Sequence, residues 1–473
     1  MNNSYYITTA IPYINARPHV GHVLEWFQAD ALARYHRLLG KNVVFTSGTD
    51  ENSLKNVQAA EKAGVDTQAW LDEYAKIFQD AFAFFGIELT YFRRGSDQKL
   101  HWPGVQKLWE YCTKAGDIYK KSYTGLYCVG CESFYGSEDL TKDGLCPEHL
   151  TAPESVTEEN YFFRLSRYQE QILQLLNSGK HQIVSEQYRN EMLRFVEHGL
   201  EDFSVSRSSE RARGVGVPVP GDTTQVMYVW FDALAIYITA IGWGYDETTF
   251  EKYWPSAVQV IGKGINRFHS IYWVAMLLSA NLAIPNTTFV HGYLTVDGQK
   301  MSKSLGNVLD PFQLVKVYGL ESLRYYLLGH IPTHADGDFS MAKFAEVYAA
   351  DLANGIGNLC SRIAKLCETV DLAGGNFPKQ FANEFQAAFA AFEIATAAEW
   401  VRGKIRALDE YLSEQAPWTK TAQEQRAILT SAVEQLLTIG YHLQPLIPNT
   451  AKQILDHFSQ PHISAIAPLF PRK

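Results

Sequence analysis

A short apolar run, Tyr5-Tyr6-Ile7-Thr8-Thr9, leads through Ala10 to Pro18 into a stretch in which Val20, Leu24, Phe27, Ala31, Tyr35 and Leu38 recur at helical spacing. A buried strand turning into a helix is the building unit of a parallel α/β sheet, and no other feature narrows the fold as far. At such a corner the helix start presents unbonded N–H groups and a positive dipole end, for which anionic phosphate is the usual guest. His19 and His22 stand one turn apart, so both can face that guest, and Gly21 leaves room for a nucleotide against the backbone. Two surface histidines near a helix start would give the same letters.

A second stretch, Gly298-Gln299-Lys300-Met301-Ser302-Lys303-Ser304, places two lysines on a Gly- and Ser-rich loop. Such a loop can close over a triphosphate and supply point charges where negative charge builds up, although a solvated loop has the same composition. Val43 to Asp50 reads as another strand ending in a polar turn. Ligands of doubly wound sheets gather at such carboxyl ends, so Asp50 is expected at the cleft, or else as the cap of a helix starting near Glu51.

The 473 residues, 46% hydrophobic and 20% charged, are enough for two to four ordinary globular domains. No apolar run reaches membrane-spanning length and no basic-then-apolar leader precedes Tyr5, so a cytoplasmic location is expected. The formal charge of −9 argues against a general polyanion coat, yet a local basic face on a large acidic chain can still hold RNA. Cys128, Cys131, Cys146 and His149 form Cys-x2-Cys and Cys-x2-His pairs among glycines, which is the ligand set of a tetrahedral zinc site. Four protein ligands leave no open position, so the role expected is structural. A disulfide or an exposed His149 is the rival reading. Cys112, Cys360 and Cys367 lie in helical patterns and are expected in the core.

The pattern predicts a doubly wound, Rossmann-like α/β domain split by an insertion and followed by a helix bundle. Its segments are 1–115 and 227–305 for the two halves of the nucleotide-binding domain, 116–226 for the zinc-bearing insertion, 306–345 for a linker and 346–473 for the bundle. A helix is expected over Asn266 to Leu278. In the bundle Leu352, Ile356, Leu359, Ile363 and Leu366 form one apolar stripe, with Asn354, Asn358 and Arg362 beside it.

Lys300-Met301-Ser302-Lys303-Ser304 matches, letter for letter, the second signature of class I aminoacyl-tRNA synthetases, and His19-Val20-Gly21-His22 resembles the first. Tyr5 to Tyr13, Phe203-Ser204-Val205-Ser206-Arg207, Met227 to Leu234, Phe268-His269-Ser270, Val290-His291-Gly292-Tyr293 and Glu414 to Trp418 are similar to the methionyl-tRNA synthetase family, so the resemblance covers nearly the whole chain. It implies ATP-dependent ligation of L-methionine to tRNA(Met) through a methionyl-adenylate; a monomer is expected, since no dimerisation or tRNA-binding module is read after the bundle. His19, His22, Lys300, Lys303 and Arg207 would be catalytic. His19, Gly21, His22, Lys300, Ser302 and Lys303 would hold ATP with its Mg2+. Methionine would lie among Ile11, Tyr13, Asp50, Trp230, Ala233, Leu234, Tyr237, Ile265 and His269, and Asn358, Arg362 and Trp418 would read the anticodon. Asn52-Ser53 stands where the family has His-Gly, Gly264 where it has Asp, and Ser208 to Gly216 lacks the usual Trp-Gly. Each departure is expected to bear on ATP or adenylate affinity. A nucleotidyltransferase without ligase activity and a catalytically silent RNA-binding relative are the alternatives.

Overall fold

The computed structural model describes residues 3–128, 133–136, 139–148, 150–300 and 309–473. They pack as two compact units, Met1–Pro18 with Lys41–Val290, and His19–Gly40 with His291–Lys473.

The first unit is built on a six-stranded sheet in the order Tyr91–Arg94, Asn42–Thr49, Ser4–Thr8, Ala257–Gly262, Thr287–His291, Gln182–Val184. Ser4–Thr8 pairs in parallel with Asn42–Thr49 on one side, Tyr6 opposite Val44, and with Ala257–Gly262 on the other, Tyr6 opposite Ala257. The chain therefore reverses its winding direction beside Ser4–Thr8. In an open α/β sheet the crevice at such a switch point, beyond the carboxyl ends of the strands, is where ligands bind. All five residues of Ser4–Thr8 are buried, as expected of a central strand covered on both faces. Gly48 is required where Asn42–Thr49 runs beside Tyr91–Arg94, since a Cβ there would lie 2.0 Å from the Arg93 carbonyl oxygen.

Most of 116–226 forms separate antiparallel structure. Ile118–Cys128 pairs with Glu154–Phe163 over ten residues, and Asp222–Met227 lies between Ser206–Ser208 and Pro218–Val219. Gln182–Val184, from the same stretch, nevertheless returns to the edge of the parallel sheet. The helix expected over Asn266 to Leu278 is a π-helical turn, Phe268–Tyr272, continued by the α-helix Trp273–Ser279. The core of this unit joins Tyr6 and Val44 of the sheet to Leu108 and Trp109 of the helix Trp102–Lys114, and to Phe231, Leu234 and Tyr237 of the helix Val229–Thr239.

The second unit is mostly helical. Val20–Leu38 packs against Leu320–Gly329, and its Tyr35 stacks on Phe389; Asn358–Thr369, Ile394–Gln415, Ala422–Leu443 and Pro448–Phe458 belong to the same unit. Asp30 of the first helix is fully buried and takes Arg34 at 2.7 Å and the buried Arg324 at 2.8 Å. Arg324 also donates to the carbonyls of Leu446 and Pro445 and lies over the Phe27 ring. A buried charge survives only when paired and hydrogen-bonded, so this constellation fixes one register of the first helix against the bundle. The apolar stripe of the bundle helix is buried at Leu352, Ile356, Leu359 and Ile363, with Leu366 only partly covered. It crosses a π-helical segment, Tyr348–Gly357, before the α-helix Asn358–Thr369 begins.

Candidate active site

The helix start in the second unit is closed by its two histidines. His19 is the N-cap, and its Nδ1 accepts the Gly21 N–H at 3.1 Å, while His22 Nδ1 accepts the His19 N–H at 3.1 Å. This reciprocal capping box is normally made by Ser or Thr with Glu. Because both Nδ1 atoms accept, each neutral ring carries its proton on Nε2, where it is a donor for an anionic oxygen. Burial, and the His19 ring 4.0 Å away, hold His22 well below the ordinary histidine range. The site thus offers neutral donors and a helix dipole to phosphate. Lys300 ends the short strand Gln299–Lys300, paired antiparallel with Leu294–Val296, in the same unit. Ser302 and Lys303 lie outside the described residues.

In the first unit, the expected methionine-binding residues follow the carboxyl ends of three neighbouring strands. Ile11 and Tyr13 come after Ser4–Thr8, Asp50 after Asn42–Thr49, and Ile265 after Ala257–Gly262. Tyr13 and Asp50 are joined by a parallel bridge, with the Asp50 N–H donating to the Pro12 carbonyl at 2.9 Å. Asp50 is buried and is not a helix cap: Ser53 takes that role, its hydroxyl accepting from the Lys55 N–H.

On the helix Val229–Thr239, the other expected residues Trp230, Ala233, Leu234 and Tyr237 share one face by their spacing. Leu234 and Tyr237 belong to the buried core, with Ile11, Trp230 and Ile265 packed against it. His269 is buried and held by two hydrogen bonds. Its Nδ1–H donates to the Ile265 carbonyl at 2.9 Å, so Nε2 accepts the Tyr237 hydroxyl at 2.7 Å. Burial depresses the His269 pKa to about 4. Phe268, absent from the expected set, stacks on Trp230 with ring centroids 4.1 Å apart and planes 4° from parallel. Its position beside His269 in an aromatic-rich turn is the only sequence signal for it. The Trp230 indole N–H has no acceptor among the described residues, although it is buried.

Arg207, on the strand Ser206–Ser208, is buried and lies over the rings of Tyr127 and Tyr228. It lines a cavity of about 870 Å³ whose walls also include Glu158, Asn160, Arg267 and Phe268, the residue stacked on Trp230.

Cys128 and Cys146 are both buried in one small cluster with Tyr135 and Leu140, whereas Cys131 and His149 lie outside the described residues. In the bundle, Asn358 is exposed on the first turn of its helix, and Arg362 pairs at 3.0 Å with Asp409 of Ile394–Gln415. That helix ends in a left-handed Ala416 and delivers Trp418, which is 54% exposed. Cys112, Cys360 and Cys367 are buried, as expected of core residues.

The class of the protein is that of the class I tRNA synthetases: a family model described as tRNA synthetases class I (M) matches residues 5–152 and 149–364. The methionine–tRNA ligase of Brucella suis is 40% identical over 97% of this chain and 92% of its own length. That of Thermotoga maritima is 37% identical over 96% and 75%. Among solved structures, Mycobacterium tuberculosis methionyl-tRNA synthetase in complex with methionyl-adenylate aligns over 99% of this chain and 100% of that one, with a TM-score of 0.91 and 34% identity. Its apo form aligns with a TM-score of 0.83 and 31% identity, covering 99% and 98%. The chain belongs to the methionine–tRNA ligase family.

Proposed function

We propose that the chain activates L-methionine with ATP, releases pyrophosphate, and transfers the methionyl group from the adenylate to tRNA(Met) with release of AMP. The observation that carries this reading is the packing of Ile11, Trp230 and Ile265 against buried Leu234 and Tyr237, with a buried carboxylate, Asp50, directly after the neighbouring strand Asn42–Thr49. Methionine's unbranched thioether suits an aromatic and aliphatic wall. Asp50 pairs with its α-ammonium, and the Tyr13 hydroxyl serves as a weak donor to sulfur.

The methionine carboxylate is ionised at neutral pH, so attack on the α-phosphate of ATP needs no general base. Alignment and neutralisation of the five-coordinate phosphorus and the departing pyrophosphate are what the protein supplies. His19 and His22 present Nε2–H donors at a helix start, and Lys300 and Lys303 add positive charge. Mg2+ accompanies the ATP phosphates as part of the substrate. Arg207 acts on the reacting groups from the cavity side. Asn358, Arg362 and Trp418 take the anticodon by hydrogen bonds and stacking, which is how single-stranded bases are held.

A structural zinc at Cys128, Cys131, Cys146 and His149 is part of this proposal, supported by the burial of the Cys128 and Cys146 thiols in one small cluster. It would fix the two knuckles and take no part in the chemistry. A cytoplasmic monomer is the form implied; among the described residues no helix is long and apolar enough to cross a membrane.

Methionine-dependent ATP–pyrophosphate exchange tests the assignment. The wild type should catalyse it, and His22→Ala should lose roughly 10²–10³ in rate, about 2.7–4 kcal/mol, as when one preorganised donor is removed. A wild type that is silent with methionine would overturn the proposal.

A further inference from the structure

Asp232 is a carboxylate for which the proposed chemistry has no use. It lies on the helix Val229–Thr239, 1% exposed, and each of its oxygens has a partner from another segment. Oδ2 takes the Asn52 amide at 2.6 Å, and Oδ1 meets His101 Nε2 at 2.6 Å. The second N–H of Asn52 is also engaged, donating to the Gly95 carbonyl at 2.9 Å, where the Trp102 indole donates at 3.0 Å. His101 Nδ1 reaches Thr239 Oγ1, at the end of the same helix, at 2.8 Å. The helix begun by Trp102 lies so close to that end that a Cβ on Gly104 would sit 2.5 Å from Thr239 Cγ2.

Helix geometry gives this network a direction. At roughly 100° per residue, Trp230, Ala233, Leu234 and Tyr237 cluster on one side, and Asp232 and Thr239 fall about 180° away on the other. The pocket face and the gripped face are therefore opposite faces of one helix. Asn52, which grips Asp232, is two residues from Asp50. The clasp thus links the turn bearing the ammonium partner to the back of the helix bearing the side-chain wall.

We propose that Asn52 and His101 are positioning residues for methionine, acting through Asp232 to set the separation between Asp50 and the Trp230–Tyr237 face. The inference rests on the proposed methionine activation. It assigns Asn52, the residue standing where the family has histidine, to amino-acid recognition and not to ATP or adenylate affinity. A displacement of about 1 Å between two halves of a binding site can cost of order 10²-fold.

The test is methionine-dependent ATP–pyrophosphate exchange on full-length wild type, Asn52→Ala, Asn52→His and His101→Gln, with active-site titration and thermal melting of each. The expected result is a KM for methionine raised roughly 10- to 100-fold in Asn52→Ala, with KM for ATP and kcat per active site within about two-fold of wild type. Asn52→His, which restores a ring donor, and His101→Gln, which keeps a donor toward Asp232, should fall between Asn52→Ala and wild type. A rise in KM for ATP with KM for methionine unchanged would overturn the proposal. So would a lower melting temperature or active fraction with both constants unchanged, since that is what a packing role alone produces. If Asn52→Ala does not fold, the two conservative variants decide the matter by the same comparison of constants. An inactive wild type would count against the ligase reading itself, whereas an active wild type with insensitive variants would count only against the clasp.

Discussion

His269 should make the stability of this protein fall in mildly acidic solution by an amount that can be worked out in advance. A histidine in an unfolded chain titrates near 6.5, whereas burial holds His269 at about 4. Between those values the unfolded chain binds a proton that the folded chain refuses, so the stability contributed is full above about pH 6.5 and is lost as pH drops toward 4. The linkage relation gives a loss of about 2 kcal/mol between pH 8 and pH 5 from this residue alone. His22, depressed in the same direction, adds to the decline and so obscures a single curve. Comparison with His269→Gln separates them, because Gln cannot titrate and every other group is common to both proteins. Urea unfolding at about pH 8 and pH 5 should show the wild type losing ~2 kcal/mol more than His269→Gln. The loss of the Tyr237 partner lowers the variant at both pH values and cancels in the difference. Parallel decline of the two proteins would mean that His269 is not held neutral in the fold, and the donor assignment of Tyr237 would fall with it.

Trp418→Ala should raise the KM for tRNA by roughly 5- to 150-fold, the value of one base stacked on an aromatic ring, and leave pyrophosphate exchange unchanged. Equal damage to both reactions would point to packing instead. Metal analysis of the purified wild type should find about one zinc per chain, lost in Cys146→Ser along with stability, since binding free energy of a structural zinc is folding free energy. A zinc-free wild type with the stability of Cys146→Ser would refute the site.

The elements that position the site were legible where function and local periodicity coincide. The corner at His19 to His22 and the strands ending at Thr8, Thr49 and Gly262 follow from short-range spacing, whereas Trp230, Ala233, Leu234 and Tyr237 were singled out only by the family resemblance. Asp50 was open to two roles because an Asp beside a helix start is also a favoured cap, and Ser53, by accepting from Lys55, removes the cap reading. The clasp at Asp232 left no trace in the sequence, because Asn52, Gly95 and His101 approach it from separate segments with no common period. The π-helical turn at Phe268–Tyr272 was hidden for another reason. Its apolar positions suit an ordinary helix, and one extra residue in a turn changes no side-chain type. The grouping of residues 19–40 with 291–473 is equally invisible to any window, since packing across hundreds of residues has no local signature.

That grouping bears on how the protein is made. Synthesis proceeds from the amino end, so the Val20–Leu38 helix leaves the ribosome long before its clamp exists. At ~5–20 residues per second, roughly 15 to 60 s separate the appearance of Asp30 from that of Arg324, and the carbonyls of Pro445 and Leu446 come later still. During that interval a mostly apolar helix whose central carboxylate has only Arg34 of its own helix as partner waits in the nascent chain. The helical unit can close only when nearly the whole polypeptide has been released, and the histidine-capped end of that helix gains its final register in the same late event.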